Sequence, residues 1–390
     1  MLKGESIVCL AAANWEGMWA RAQQFMSIFA RQGNRIIYVN PPITYLSPFK
    51  NPALRGQTRD CLRPASENIE IYTPPVILPF GGMYRAVNRI NQRIIAAGLK
   101  RACRQLKFKP TIIWTYLPNT VDLILPEDAT LVYDCADEHT AFPGLINKKT
   151  VARMEAELFD RAAASLASAR ELYRSKKDLA PRLAVIPNGA DVEHFSRARQ
   201  PGPAVPEELK DLPRPLIGYI GAVSDWFDQE MLRAAALAHP SWSLVLIGPV
   251  DTDTAGLKAL PNVRLLGHRA YSGLPAYLSC FDVAVIPFKI NELTLGVNPV
   301  KLYEYLAAGK PVVSTDLPEV RPFRPLVAIA GDPVEFVRKI EEELAADSAE
   351  KAAARMRAAE LNSWEARAAA AVDMISRFRD GGGSAGKAKF

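Results

Sequence analysis

The sequence predicts an α/β protein of two doubly wound parallel-sheet domains facing across a cleft. Three observations carry that prediction. Short apolar runs rich in β-branched residues alternate with helical patterns over almost the whole chain, the signature of parallel sheets flanked by helices. A proline-rich segment near the middle, with Pro201, Gly202, Pro203, Pro206, Pro213 and Pro215, divides the pattern in two, because proline fixes φ and removes a backbone donor. At 390 residues, the chain is also too long for a single core.

Taken in order, strands are expected at 6–13, 35–40, 69–73, 111–117, 131–135, 164–168 and 183–188. Helices fall between most of them, near 18–32, 82–107, 150–163 and 170–179. Segment 189–214 reads as a loop joining the halves. Strands resume at 216–223, 243–248, 263–267, 283–288, 311–315 and 326–330, with helices near 228–238, 274–280, 299–308 and 333–345. An Ala-rich helical stretch, roughly 348–378, is interrupted near Asn362-Ser363-Trp364, where Ser363 suits the start of a last helix. These boundaries give an N-terminal domain over 1–188, a C-terminal domain over 189–363, a helix 364–378 packing back on the first, and a flexible tail 379–390.

Composition narrows the function. Half the residues are apolar and mean hydropathy is −0.03, as in an ordinary folded protein. The opening run meets Glu16 and Gly17 without a cleavage pattern and reads as a first strand, not an export signal. No stretch reaches the ~18 consecutive apolar residues that a membrane span needs. Five scattered cysteines without CxxC spacing argue against a disulfide framework, and with four unclustered histidines they argue against a metal centre. A cytoplasmic location is the expectation. The first turn, LAAANWEG, lacks GxGxxG, which disfavours a dinucleotide oxidoreductase.

The densest pattern is GVNPVKLYEYLAAGKPVVST, residues 296–315. Asn298 suits a helix N-cap, Pro299 the first helical position and Gly309 the helix end. A helix N-terminus, with free N–H groups and a positive dipole, favours phosphate. Lys301 and Glu304, three apart, share one helical face. A cation beside phosphates and a carboxylate one turn deeper would hold a nucleoside diphosphate, the carboxylate accepting from ribose hydroxyls. Spacing alone leaves a capped surface helix with a local Lys–Glu pair equally open.

That segment, with VIPNGADVEHF (185–195), IGYIGAVSDWFD (217–228), NVRLLGHRAYSGLPAYLSCFDVAVIPF (262–288) and the late NSWE, resembles the C-terminal half of retaining glycosyltransferases of GT-B fold and family 4 type. LVYDCADEH (131–139) and NWEGMWARAQQF (14–25) are similar to the subgroup that builds bacterial surface polysaccharides, including teichuronic-acid-type enzymes. The resemblance implies two Rossmann-like domains, the first binding the acceptor and the second a nucleotide-sugar donor, with no cofactor or metal. It implies that Glu304 binds the donor ribose and Lys301 the diphosphate. Gly221 and Ala222 would lie against the phosphates, backbone at Gly267, His268 and Arg269 against the base, and Val297 and Asn298 beside the donor. Asp137 and His139 would serve the transfer, His139 bonding the donor sugar or the incoming hydroxyl, and Asn14, Trp15, Glu16 and Gly17 would meet the acceptor. Two departures stand out. The usual first glutamate is Gly296, and GAVSDWFD brings no cation, which leaves Lys301 with Arg269 as helper for the phosphate charge.

Residues 71–121 contain no Asp or Glu but eight Lys and Arg. Within them 83–106 reads as an amphipathic helix whose apolar stripe runs Met83, Val87, Ile90, Ile94 and Leu99, with Arg85, Arg89, Arg93 and Lys100 alongside. Such a face suits reversible docking on the anionic inner surface of the plasma membrane, where a lipid-linked acceptor would be met; a solvated basic face is the bland alternative. Nucleic acid is not expected, since no recognition motif accompanies the charge. A nucleotide-sugar 2-epimerase of the same fold, or a non-catalytic scaffold in a polysaccharide-synthesis complex, stand as the other readings.

Overall fold

The apolar runs of the first half become one eight-stranded sheet in the computed structural model, which describes residues 2–50, 54, 60–124, 126, 128–142, 144–200 and 205–380. Contacts divide the chain into two compact units. One comprises the residues up to Pro187 with those from Ala368 onward; the other is Asn188–Arg367.

In the first unit the strands are β1 (Ser6–Leu10), β2 (Arg35–Val39), β3 (Cys61–Ser66), β4 (Ile69–Thr73), β5 (Ile112–Thr115), β6 (Thr130–Cys135), β7 (Ala164–Ala167) and β8 (Leu183–Val185). Their order is β3-β4-β2-β1-β5-β6-β7-β8. Every neighbouring pair is parallel except β3–β4. The parallel strands are buried on both faces, so they read as continuous apolar runs. Strand β3 was not expected from the sequence. CLRPAS is half exposed and carries Pro64, which cannot donate to a ladder and is tolerated only at an edge.

The second unit has β9 (Leu216–Ile220), β10 (Ser243–Ile247), β11 (Val263–Gly267), β12 (Val283–Ile286), β13 (Val312–Thr315) and β14 (Ala328–Ala330), in the order β11-β10-β9-β12-β13-β14. All pairs are parallel. The chain winds outward from β9 in one direction, then returns to its other side at β12. The carboxyl ends of β9 and β12 therefore flank the switch point, where open α/β sheets bind ligands.

Two expectations need correction. The joining segment 189–214 is not all loop: Asp191 accepts from the His194 N–H and starts the helix Val192–Ser196. Of its prolines, Pro201 and Pro203 with Gly202 lie outside the described residues, as does the expected flexible tail from Gly381 onward. In the helix Arg85–Gln105 the buried face is Asn88, Asn91, Gln92, Ile95, Leu99 and Ala102, while Ile90 and Ile94 are exposed. Its buried amides explain the shift: Asn91 is bonded to the Leu78 backbone, and Asn88 to the Asn119 carbonyl and Asp122. Polar side chains with partners can occupy a packed face. The last interruption does fall at Ser363, whose hydroxyl accepts from the Ala366 N–H at the start of the helix Trp364–Asp380.

No helix among the described residues is long and apolar enough to cross a membrane.

Candidate functional site

The helix Val300–Ala307 brings the central pair to the switch point of the second sheet. Its C-terminal end is set by sequence. Gly309, at φ +70°, sends its N–H to the Leu306 carbonyl while Lys310 bonds Tyr305, a Schellman closure that a β-carbon would strain. Its N-terminal end differs from the expectation. Pro299, not Asn298, is the capping residue, and no side chain caps the first turn. Asn298 is buried and otherwise engaged: Oδ1 accepts from the Asn188 N–H at 3.1 Å, and Nδ2 donates to Glu319 at 3.0 Å. The Asn188 amide in turn donates to the Asn298 carbonyl at 2.7 Å. Asn298 brackets the start of the unit to the approach of this helix, and the uncapped end keeps its free N–H groups and positive dipole.

Lys301 is half-buried with its ammonium 4.6 Å from the Phe288 ring centroid and 5.3 Å from that of Tyr219. The two rings stand at and beyond the carboxyl ends of β9 and β12. Glycine at 221 makes this possible: a β-carbon there would lie 2.7 Å from Lys301 Cε, and φ is +153°. Glu304, one turn deeper, is buried. Neither side chain makes a hydrogen bond or ion pair with the protein among the described residues. Burial lowers the Lys301 ammonium to about 8 against the pull of Glu304, and raises the Glu304 carboxyl to about 7 against that of Lys301. Asp191 adds to the rise of Glu304, so the segment beginning at Asn188 contributes to the same field.

The neighbouring loops are laced by backbone bonds: Gly221 N–H to Ile247, Gly248 N–H to Gly267 and Val223 N–H to Pro249. The Ala222 carbonyl accepts from the Tyr219 hydroxyl at 2.7 Å. Val297 is half-buried, its N–H on the Thr294 carbonyl. His268 is exposed at the far end of β11. Arg269 is not available as the helper expected for phosphate. Its guanidinium bonds Tyr277, the Leu266 and His268 carbonyls, and Glu208 at 2.8 Å. Only its backbone remains for a ligand. Sequence reasoning missed Phe288, Tyr219 and Ser224, whose buried hydroxyl finds no partner among the described residues. An apolar strand end gives no signal that its ring will face a cation.

In the first unit Asp137 and His139 share a loop after β6. Burial raises the Asp137 carboxyl, opposed by His139 and then Arg21. His139 Nε2 is buried without a hydrogen-bond partner, and its ring lies along Phe142. Neither Asp137 nor Glu138 caps a helix. Glu138 accepts from Thr140 and from Lys176, whose ammonium also bonds Glu155, itself a partner of the Tyr133 hydroxyl. Asp134, within β6, is buried against Arg21 and the Trp114 indole N–H and serves structure. At the first turn, Asn14 is exposed and its carbonyl accepts from the Gly17 N–H. Trp15 packs on Tyr38 and Trp19, and Glu16 pairs with Arg63.

The basic helix is partly neutralised from a distance. Arg85 pairs with Asp122 and Glu157, and Arg89 approaches Asp122 at 3.8 Å. Arg93 and Lys100 have no carboxylate partner among the described residues.

Two doubly wound parallel-sheet units in succession are the fold of the GT-B glycosyltransferases. Residues 214–346 match the family model of the glycosyl transferases, group 1. TuaH of Bacillus subtilis (strain 168), assigned to teichuronic acid biosynthesis as a glycosyltransferase, is 31% identical over 234 residues, 55% of this chain. The match spans only 58% of that relative's length. Among solved structures, sucrose-phosphate synthase from Thermosynechococcus elongatus gives a TM-score of 0.69 at 16% identity, covering 96% of this chain and 99% of its own. The catalytic domain of Arabidopsis thaliana starch synthase IV bound to ADP and acarbose gives 0.67 at 12%, covering 97% and 100%. HepE of Anabaena in complex with UDP and glucose gives 0.61 at 14%, covering 95% and 99%.

Proposed function

We propose that the protein is a glycosyltransferase that moves a sugar, with retention, from a nucleotide-diphosphate sugar to a lipid-linked saccharide acceptor in bacterial polysaccharide or cell-envelope glycan synthesis. The observation that carries this reading is the pair of half-buried Lys301 and buried Glu304 at the switch point, neither with a hydrogen bond or ion pair among the described residues, beside an uncapped helix end. Burying a charge is costly unless something pairs with it, so such a pair is suited to a ligand that supplies both phosphate and hydroxyl.

In this reading Lys301 and the first-turn N–H groups hold the diphosphate, and Glu304 accepts from the ribose. Departure of the nucleoside diphosphate builds negative charge on its phosphates, and donors already aimed there lower the barrier. The leaving phosphate takes the proton of the acceptor hydroxyl, so no protein nucleophile is needed. The acceptor is met by the Asn14–Gly17 turn, with His139 Nε2 bonding the donor sugar or the incoming hydroxyl and Asp137 beside it in the same loop. No metal or cofactor takes part. The enzyme works on the cytoplasmic face of the membrane, held by Arg93 and Lys100, with Arg89 in support.

The test is incubation with a panel of uridine, guanosine and thymidine diphosphate sugars, with and without lipid-linked acceptor. Acceptor-dependent release of the diphosphate supports the transferase. Isomerisation without acceptor would make the protein an epimerase, and binding without turnover a scaffold. Near-normal turnover of Lys301→Ala would refute the assignment of the donor site.

A further inference from the structure

A cavity of about 780 Å³ lies in the first unit beside the C-terminal half of the helix Arg85–Gln105. Its position is set by topology. The lining residues Phe108, Lys109 and Pro110 lead into β5, and Pro126 precedes β6. It therefore opens at the end of the sheet where these parallel strands begin. The Asn14–Gly17 turn and the Asp137–His139 loop follow strands and lie at the other end. The cavity belongs to neither.

Its chemistry is two-sided. Leu99, Cys103, Phe108 and Ile113 make an apolar wall, and burial pushes the Cys103 thiol up. Arg93, Lys100, Arg104 and Lys107 line the same cavity, are exposed, and have no carboxylate partner among the described residues. Lys109, also in the lining, is paired with Asp128. The apolar character continues outward through the exposed Ile90, Ile94 and Ile124. The wall is rigidly held: Arg35 donates to the Leu106 carbonyl at 2.9 Å and covers the Phe108 ring at 5.2 Å, while the Phe108 N–H bonds Cys103.

A volume within the ~300–1,000 Å³ of small-molecule sites, apolar inside and cationic around it, suits one kind of occupant. The ligand must bring an alkyl chain and an anionic head together. We infer that this cavity seats one molecule of an anionic phospholipid, its chain against Leu99, Phe108 and Ile113 and its phosphate among Arg93, Lys100, Arg104 and Lys107. A solvated basic helix needs no cavity behind it, and a polyanion needs cations but no apolar wall. The site sharpens the membrane contact proposed above into a discrete lipid-binding place and does not depend on sugar transfer.

The test uses the full chain and a soluble probe, dihexanoyl-phosphatidylglycerol below its micellar concentration, followed by titration calorimetry. Binding is expected at one molecule per chain, roughly tenfold tighter than that of glycerol phosphate, which lacks chains, and of dihexanoyl-phosphatidylcholine, which lacks net charge. Ala97→Trp, an exposed position in the lining, should remove the advantage over glycerol phosphate and keep the response to it. Lys100→Glu with Arg104→Glu should weaken both by about tenfold. Unfolding temperatures of the variants control for folding. Equal affinity for lipid and glycerol phosphate, an unaltered titration of Ala97→Trp, or displacement by transfer RNA with no dependence on the chain would overturn the inference. Neither readout involves turnover, so its failure leaves the transferase reading intact, and loss of that reading leaves this one.

Discussion

The Lys301 ammonium stands 4.6 Å from the centre of the Phe288 ring, and its Cε passes so close to Gly221 that only glycine fits there. Ring face and glycine together hold the cation at the carboxyl end of the sheet while leaving its N–H donors unspent. A cation over an aromatic face gains roughly 0.5–2 kcal/mol, enough to orient the side chain and too little to replace a phosphate.

Removing that cation should be expensive for donor binding. A hydrogen bond to a charged group contributes about 1.5–3 kcal/mol, so Lys301→Ala should weaken nucleotide binding roughly ten- to a hundredfold. Gly221→Ala, whose β-carbon would meet both Lys301 and the Tyr219 ring at a strained φ, should produce part of the same loss together with some loss of stability. Equilibrium titration with nucleoside diphosphates measures both.

The two opposed shifts give donor binding a narrow pH window. The ammonium, lowered to about 8, loses its proton as pH rises through that value; the carboxyl, raised to about 7, loses its charge as pH falls through that value. Nucleotide affinity should therefore peak between about 7 and 8 and decline on both sides. Lys301→Arg keeps its charge to far higher pH and should abolish the alkaline decline, whereas Glu304→Gln should abolish the acidic one. A flat profile in the unaltered protein would contradict the assignment.

Asn298 offers a test of bracket against cap. A serine would serve a helix N-cap about as well as asparagine. It cannot reach both the Asn188 N–H and Glu319, so Asn298→Ser should cost roughly 1–3 kcal/mol of stability. Denaturant unfolding of the variant decides; stability equal to the parent would restore the capping role.

Lys176 should matter for folding more than for chemistry. Its ammonium bonds both Glu138 and Glu155, all three buried, and removing one member of such a network strands the others. Lys176→Met should destabilise by about 3–5 kcal/mol, seen as a lowered unfolding temperature. Adding Glu155→Gln should recover part of that loss.

Arg269→Ala separates geometry from resemblance. Because its guanidinium is spent on Glu208, Tyr277 and two carbonyls, the variant should lose stability yet bind nucleotide within about twofold of the parent. A large drop in affinity, with the fold intact, would return Arg269 to the phosphate site.

Much of the architecture was legible because parallel strands are buried on both faces. Runs such as LIGYI and VAVI announce themselves without context. Strand β3 was hidden because its exposed, proline-bearing edge carries no such signature. The helix Arg85–Gln105 was found, but its buried face was read one step around the cylinder. Apolar periodicity is blind to Asn88 and Asn91, which are buried because loop carbonyls and Asp122 satisfy them. At the site, the Lys301–Glu304 spacing and the closure at Gly309 were readable as local geometry. The engagement of Asn298 with Asn188 and of Arg269 with Glu208 was not, since these partners lie 110 and 61 residues away.

By itself, then, the sequence determined the alternation of strand and helix, the helix that carries Lys301 and Glu304, and the glycine that closes it. Those follow from burial and backbone sterics, which act over a few neighbouring residues. Only the tertiary structure decided which polar groups are spent and which are free, because hydrogen-bond partners are chosen by distance in space. That choice leaves Lys301 and Glu304 without a hydrogen bond or ion pair among the described residues, while Asn298, Arg269 and Arg85 are bound into the frame.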